Sequence, residues 1–195
     1  MKIAVYCGSF NPPHIGHYQL ATHLLASHYA DKVIVVPTGD AYPKQALAPA
    51  EYRLEMVQTM FANEPNILID DFELKNQLVY TFHTIQHVQT LFPNDEISLV
   101  LGADNYQQVS TWDYYEELKC ICQFLVIKRE GYPTPTPIPQ TKTTIIDLHI
   151  ADISSTSIRQ ALAQNDPSFC KFIQAPVYAY IQKKHLYKNV NKRKK

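Results

Sequence analysis

Several features of common protein classes are missing from this chain of 195 residues. Its four cysteines form no C-x-x-C pair, so the cysteine pattern argues against a disulfide framework. Nothing at its start resembles a signal peptide. Both absences predict a cytoplasmic protein with free thiols, because disulfides persist mainly in oxidising compartments.

Long apolar runs and an excess of charge are also absent. No apolar segment approaches the roughly 20 residues that are needed to span a bilayer, and the formal net charge is zero. We therefore expect neither a membrane nor nucleic acid as a partner. Basic residues are concentrated only at the end of the chain. This predicts a domain over residues 1–187 and a basic tail over residues 188–195. We expect the tail to be a solvated terminus, with binding of polyanions as the alternative.

The two commonest phosphate-binding motifs are missing as well. The chain contains neither G-x-G-x-x-G nor G-x-x-x-x-G-K-[ST], which excludes the usual dinucleotide fingerprint and the P-loop. It shows no internal repeat. Its length suits one domain of ordinary size with a real hydrophobic core.

What the chain does contain is a regular alternation of strand-like and helix-like segments. Strands are predicted at residues 2–6, 33–36, 66–70, 97–101, 124–127 and 145–148. Helices are predicted at residues 18–29, 49–62, 81–92, 114–118, 155–164 and 176–185. Alternating prolines at residues 133–139 exclude a helix or a central strand there. This order predicts a single-domain α/β fold with a Rossmann-like, doubly wound, mostly parallel sheet, whose ligands bind beyond the carboxyl ends of the strands.

The first predicted strand runs directly into the segment C-G-S-F-N-P-P-H-I-G-H at residues 7–17. The helix that follows presents unpaired N–H groups and a positive dipole end, which suit a phosphate. His14 and His17 add two side-chain donors at the same point. Gly16, between them, removes a side chain where a ligand would approach closely.

A second anion-binding pattern, I-S-S-T-S-I-R, occupies residues 153–159. Hydroxyl residues at a helix start cap it and leave donors pointing outward, and Arg159 falls within the first turns. An ordinary N-cap with a surface arginine would show the same pattern. Paired with the histidine segment, however, it indicates two anion sites, as a triphosphate requires.

Together the two segments resemble the bacterial nicotinate-nucleotide adenylyltransferase family of the H-x-G-H nucleotidyltransferase superfamily. The resemblance continues through G-A-D-N at residues 102–105, the tryptophan of T-W-D-Y-Y at residues 111–115 and V-x-x-Y-I-x-x-x-x-L-Y at residues 177–187. One departure is Asn11, which stands where the family has an aspartate. The resemblance implies transfer of AMP from ATP to nicotinate mononucleotide in NAD biosynthesis, with Mg²⁺ held by phosphate oxygens and water and no protein metal site.

The resemblance also implies roles for individual residues. The catalytic residues it implies are His14, His17 and Arg159. Those implied to bind ATP are Gly8, Ser9, Phe10, Gly16, Gly102, Asp104, Ser155, Thr156 and Ile158. Those implied to bind the acceptor are Lys44, Tyr80, Thr81, Trp112 and Arg129.

Other interpretations of these residues stay open at this point. His14 and His17 could ligate zinc, although no third ligand follows at a usual spacing, and His83 with His87 is another spacing that suits a metal. Trp112 could be a plain core aromatic. The rival functions are another adenylyltransferase, acting on nicotinamide mononucleotide or phosphopantetheine, and a non-catalytic nucleotide-binding protein. A homo-oligomer is compatible with the sequence, which does not fix the oligomeric state.

Overall fold

The architecture comes from a computed structural model that describes residues 1–40, 47–76, 80–128, 133–148 and 153–188. Its strands are β1 (Lys2–Gly8), β2 (Lys32–Pro37), β3 (Ile67–Ile69), β4 (Glu96–Gly102), β5 (Gln123–Ile127) and β6 (Thr143–Ile146). Its helices are α1 (Ile15–Ala26), α2 (Ala50–Met60), α3 (Phe72–Lys75), α4 (Thr81–Leu91), α5 (Ala103–Tyr106), α6 (Tyr115–Ile121), α7 (Ser155–Gln164) and α8 (Ala175–Lys183).

The six strands form one sheet in the order β3-β2-β1-β4-β5-β6. Every neighbouring pair is parallel, with Ile3 opposite Lys32 on one side of β1 and opposite Ile97 on the other. The strand order reverses between β1 and β4, which is the switch point where such sheets bind ligands. The predicted α/β fold with a doubly wound parallel sheet is confirmed.

Apolar side chains cover both faces of the sheet. Along β2, Val33 and Val35 pack on one face, whereas Ile34 and Val36 pack on the other. The first face is covered by residues from α1, α2, α7 and α8, and the second by residues from α4 and α6. Because both faces are buried, β2 reads as a continuous apolar run rather than an alternating one.

The predicted elements match the observed ones, with shifted ends. The predicted helix at residues 18–29 is α1, which begins three residues earlier because residues 15–17 of the histidine segment form its first turn. The strand predicted at residues 145–148 lies at Thr143–Ile146. The short helices α3 and α5 and the 3-10 turns Val109–Thr111 and Pro167–Phe172 were not predicted. Within residues 133–139 the chain has neither helix nor strand, as expected.

The buried face of α2 is close to the one that the sequence predicts. The pattern places Leu54, Val57 and Phe61 on one face, with Met56 and Met60 beside them. All of these are buried except Leu54, which is only partly buried. The helix also buries Arg53, which was not expected, because its guanidinium has main-chain and carboxylate partners.

Candidate active site

The loop between β1 and α1 begins at the sheet's switch point. Phe10 has a φ of 44°, a left-handed conformation that is uncommon for a residue with a side chain. Its buried ring makes edge contacts with the rings of Tyr6 and His17. A Cβ atom at Gly8 would come within 3.1 Å of this ring, so any larger residue there would press on the ring. Any ligand contact at Phe10 must therefore come from its main chain.

The two histidines are held by the first turn of α1. His14 is the N-cap residue, and its backbone N–H donates to His17 Nδ1 at 3.0 Å. The two rings stack with their centroids 3.7 Å apart. Because His17 Nδ1 accepts a hydrogen bond, a neutral His17 ring carries its proton on Nε2, which is then the donor for a ligand. Gly16 is buried in the same turn.

The start of α7 lies directly against this loop. Ser154 caps the helix by accepting from the Ser157 backbone N–H at 3.1 Å. The Ser155 hydroxyl donates to the Pro12 carbonyl at 2.8 Å, and Arg159 Nη1 donates to the Asn11 carbonyl at 2.8 Å. These two hydrogen bonds join residues that are 143 and 148 positions apart in the sequence.

The Arg159 guanidinium also donates through Nη2 to the Thr156 hydroxyl at 3.2 Å. These two bonds use two of its five N–H donors. Thr156 is exposed, whereas the Ile158 side chain is fully buried in the core. Any ligand contact at Ile158 must therefore use its backbone rather than its side chain.

Asp104 lies in α5, immediately beyond the carboxyl end of β4. A Cβ atom at Gly102 would come within 2.6 Å of the Asp104 carboxylate, so glycine lets that side chain fold back over the strand end. Since β4 neighbours β1 in the sheet, this carboxylate and the loop of the histidines follow adjacent strand ends. Their common edge is where ligands of doubly wound sheets bind.

Aromatic rings surround the start of α4. Tyr80 is its N-cap residue and Thr81 its first residue. The Tyr114 ring lies 5.4 Å from the Tyr80 ring and 5.2 Å from the His83 ring, centroid to centroid. Trp112 is half-buried and packs against the core beside α6. Tyr114, which follows the tryptophan by two residues, was not among the predicted site residues.

His83 and His87, considered together as a metal pair, have separate partners. His87 Nε2 lies 3.0 Å from Asp70 Oδ2, and its ring stacks on Phe72. His83 contacts the rings around Tyr114 instead. In the described part of the chain, no group of three or more His, Cys, Asp or Glu side chains is arranged to hold a metal ion. Lys44 and Arg129 lie outside the described residues.

Arg53, which sequence reasoning did not place in the site, braces the loop from α2. Its side chain is fully buried and donates to the Ser9 carbonyl at 3.0 Å, to the Ala48 carbonyl at 2.9 Å and to Asp40 Oδ1 at 2.7 Å. Arg53 lies three positions before Met56 on the apolar face of α2. A charged residue on such a face is the sequence signal for a buried group with internal partners, because burying an unpaired charge is costly.

A buried carboxylate, that of Glu73, lies beside Gly39, shortly after the end of β2. Glu73 Oε1 accepts from the Thr84 hydroxyl at 2.7 Å. Burial raises the pKa of Glu73, and hydrogen bonds from Thr84, the Gly39 backbone and Cys7 partly oppose that rise. Burial also raises the pKa of the Cys7 thiol, with the Glu73 charge as the next cause. Cys7 is therefore a protonated thiol rather than a nucleophilic thiolate.

Known proteins resemble this chain over nearly its whole length. The family model described as cytidylyltransferase-like matches residues 5–161. A protein of Clostridium novyi named "Probable nicotinate-nucleotide adenylyltransferase" is 30% identical over 96% of this chain and 99% of its own length. A protein of the same name from Caldicellulosiruptor saccharolyticus is 34% identical over 96% of this chain and 100% of its own.

Solved structures share the fold. The nicotinic acid mononucleotide adenylyltransferase of Plasmodium falciparum, complexed with NaAD, aligns with a TM-score of 0.81 at 23% identity, covering 95% of this chain and 97% of that one. The same enzyme complexed with APC aligns with a TM-score of 0.75. No helix in the described residues is long and apolar enough to cross a membrane. The family model and the full-length relatives together show that this chain belongs to the cytidylyltransferase-like nucleotidyltransferases, within the nicotinate-nucleotide adenylyltransferase family.

Proposed function

We propose that this protein transfers AMP from ATP to nicotinate mononucleotide, releasing deamido-NAD and pyrophosphate. The observation that carries the proposal is the direct contact between the β1–α1 loop and the start of α7. It brings both anion-binding segments to one place, as a single triphosphate requires. The family to which the chain belongs supports the same reaction.

The reaction needs positioning and charge stabilisation rather than a protein nucleophile. A phosphate oxygen of the acceptor attacks the α-phosphorus of ATP, and the bond from that phosphorus to the bridging oxygen breaks. The electron pair leaves with pyrophosphate. The protein must hold the partners in line and stabilise the negative charge that develops on the α-phosphate and the leaving group.

We assign the donors to these tasks by their place in the fold. His14, His17 and Ser9 act on the α-phosphate from the β1–α1 loop. Arg159 acts on the β- and γ-phosphates from α7, together with Ser155 and Thr156. The glycines at positions 8, 16 and 102 admit the close approach of backbone to ligand, and Asp104 faces adenosine and its ribose.

The acceptor lies on the other side of the α-phosphate in this proposal. Tyr80, Thr81 and Trp112 form its aromatic and polar surroundings near α4. The proposed roles of Lys44, for the acceptor phosphate, and of Arg129 rest on sequence alone.

Mg²⁺ is the divalent ion that we propose for this reaction. The donors at the site are imidazoles, hydroxyls and a guanidinium, a set that suits phosphate oxygens better than a hard cation. The ion fits the site as part of a metal–ATP complex, where it would neutralise charge on the phosphates. We also propose a cytoplasmic location, consistent with four cysteines that form no disulfide.

An acceptor panel tests the proposal. The protein is incubated with ATP and Mg²⁺ plus nicotinate mononucleotide, nicotinamide mononucleotide or phosphopantetheine, and pyrophosphate release is measured. We expect the highest kcat/KM with nicotinate mononucleotide. Preference for either other acceptor would contradict the substrate assignment, and ATP binding without pyrophosphate release for all three would indicate a non-catalytic protein.

A further inference from the structure

The side chain of Asn11 joins three segments that are distant in sequence. It is 1% exposed. Its Oδ1 accepts from the Ala48 backbone N–H at 3.0 Å and from the Tyr187 hydroxyl at 2.8 Å. One oxygen of the β1–α1 loop is therefore held both by the segment before α2 and by the turn after α8.

The main chain of Asn11 faces α7. Its carbonyl accepts from Arg159, and the next carbonyl along the chain, that of Pro12, accepts from Ser155. The side chain and the backbone of Asn11 thus take part in different contacts at the same point. Fixing the side chain fixes the peptide to which Arg159 binds, and so sets the distance between the loop and α7.

Tyr187 lies beyond α8 with a φ of 63°, in the left-handed region. The turn before it is closed by a bond from the Leu186 backbone N–H to the Ile181 carbonyl at 3.1 Å. Burial raises the pKa of the Tyr187 hydroxyl, while the positive charges of Arg159 and Arg53 partly oppose that rise. The hydroxyl therefore remains protonated at neutral pH and acts as a hydrogen-bond donor beside the two guanidinium groups.

We propose that Tyr187 is a positioning residue for ATP: its hydroxyl orients Asn11 and, through Asn11, the loop that forms the triphosphate site with Arg159. The inference rests on the proposed function only in taking ATP as the ligand of that site. Tyr187 touches no reacting atom in this arrangement. Its effect should appear in the affinity for ATP, whatever the acceptor is.

Tyr187→Phe tests this with the ring retained and only the hydroxyl removed. Loss of one buried hydrogen bond predicts that the Kd for ATP with Mg²⁺, measured by calorimetric titration without acceptor, rises about threefold to tenfold. The KM for the acceptor should stay unchanged. The matched control is Tyr180→Phe on α8, whose buried hydroxyl makes no hydrogen bond within the described residues, and its ATP affinity should equal that of the wild type.

A double-mutant cycle tests whether the effect passes through Asn11. In an Asn11→Ala background, Tyr187→Phe should raise the Kd for ATP no further, because the accepting oxygen is already gone. If Asn11→Ala does not fold, Asn11→Asp retains an accepting oxygen and charges it. Charge-assisted bonds are stronger, so Tyr187→Phe should then raise the Kd by a larger factor than in the wild type.

The outcomes separate the two proposals. A lower Tm for Tyr187→Phe with unchanged ATP affinity would make Tyr187 merely structural and overturn the inference, as would a full, independent effect in the Asn11→Ala background. Wild-type protein that binds ATP but adenylates no acceptor would contradict the proposed function alone. Wild-type protein that does not bind ATP would overturn both.

Discussion

The two sides of the site are built differently. The side formed by the β1–α1 loop and α7 is held by hydrogen bonds from remote side chains to backbone carbonyls, and Asn11, His14 and Arg53 there are buried. The side formed around α4 consists of partly exposed aromatic rings in contact with one another, including Tyr114 at 43% exposure. The first arrangement has directional hydrogen bonds from several elements, whereas ring contacts restrain a ligand chiefly by shape.

The difference suggests a division of work. Charge stabilisation depends on donors fixed within a few tenths of an ångström. Preorganised hydrogen bonds therefore suit the side formed by the β1–α1 loop and α7, which is the proposed phosphate side. Recognition of a flat heterocycle tolerates small shifts of the stacking rings, each pair of which contributes about 0.5–1.5 kcal/mol. Substitutions on the phosphate side should therefore lower kcat. Substitutions among the rings around α4, the aromatic side, should mainly change the KM for the acceptor.

The largest effect is expected at His17. His17→Ala should lower kcat at least about a hundredfold, the loss typical of one transition-state donor, as measured by pyrophosphate release under saturating substrates. His17→Gln separates chemistry from helix capping, because glutamine at this position can still accept from the N-cap N–H. It should restore stability but not turnover. His23→Ala, on the same helix, is the control, and near-normal kcat in His17→Ala would contradict the assigned role.

Arg159→Lys should have the next largest effect. Lysine keeps the charge but cannot reach both the Asn11 carbonyl and the Thr156 hydroxyl with a planar fork. Bonds of a charged group contribute about 1.5–3 kcal/mol, so we expect kcat/KM for ATP to fall roughly tenfold to a hundredfold. Gln160→Ala, an exposed neighbour on α7, should leave kcat/KM unchanged. An equal loss in both variants would show that α7 is merely destabilised.

Tyr114→Ala should have a smaller effect, confined to the aromatic side. Loss of its ring contacts predicts a rise of about twofold to tenfold in the KM for the acceptor, with the KM for ATP unchanged. Initial rates with each substrate varied in turn measure both constants. Tyr114→Phe keeps the ring and should behave as the wild type. A rise in the KM for ATP alone would contradict the proposal that the aromatic side binds the acceptor.

The smallest effect concerns stability around Glu73. Because burial raises the folded-state pKa of Glu73, the folded protein binds the proton more tightly than the unfolded chain. The contribution of Glu73 to stability is therefore present below its ordinary pKa and lost as pH rises through the raised value. In urea unfolding, the free energy of unfolding of Glu73→Gln should rise relative to that of the wild type as pH increases from the ordinary pKa of Glu73 through the raised one. Glu116→Gln, at an exposed position on α6, is the control, and a difference independent of pH would contradict the assignment.

Much of the fold could be predicted from local patterns. The run at β2 identifies a strand buried on both faces, and the prolines of residues 133–139 identify a segment without regular structure. The ends were less predictable, because α1 starts where a histidine caps it and a histidine is not a usual capping residue. The four-residue helices were missed since they are too short to show a period.

The residues of the site were only partly predictable. The histidine segment and the segment at residues 153–159 are distinctive in composition, and both lie where expected, at strand-to-helix junctions. Arg53 and Tyr187 were not predicted as site residues, although Tyr187 ends the segment at residues 177–187 that carries part of the resemblance. Their partners in the β1–α1 loop, the Ser9 carbonyl and the Asn11 side-chain oxygen, lie far away in the sequence, so no local pattern links them.

The sequence by itself determined the order of the strands and longer helices, the residue types of the two proposed phosphate-binding segments and the resemblance to the family. These depend on residue type and spacing over short distances. The tertiary structure alone decided that Ser155 and Arg159 bind the backbone of the loop, that Arg53 is buried and that Tyr187 holds Asn11. Such contacts join residues far apart in the chain, and packing of the whole sheet with its helices brings them together.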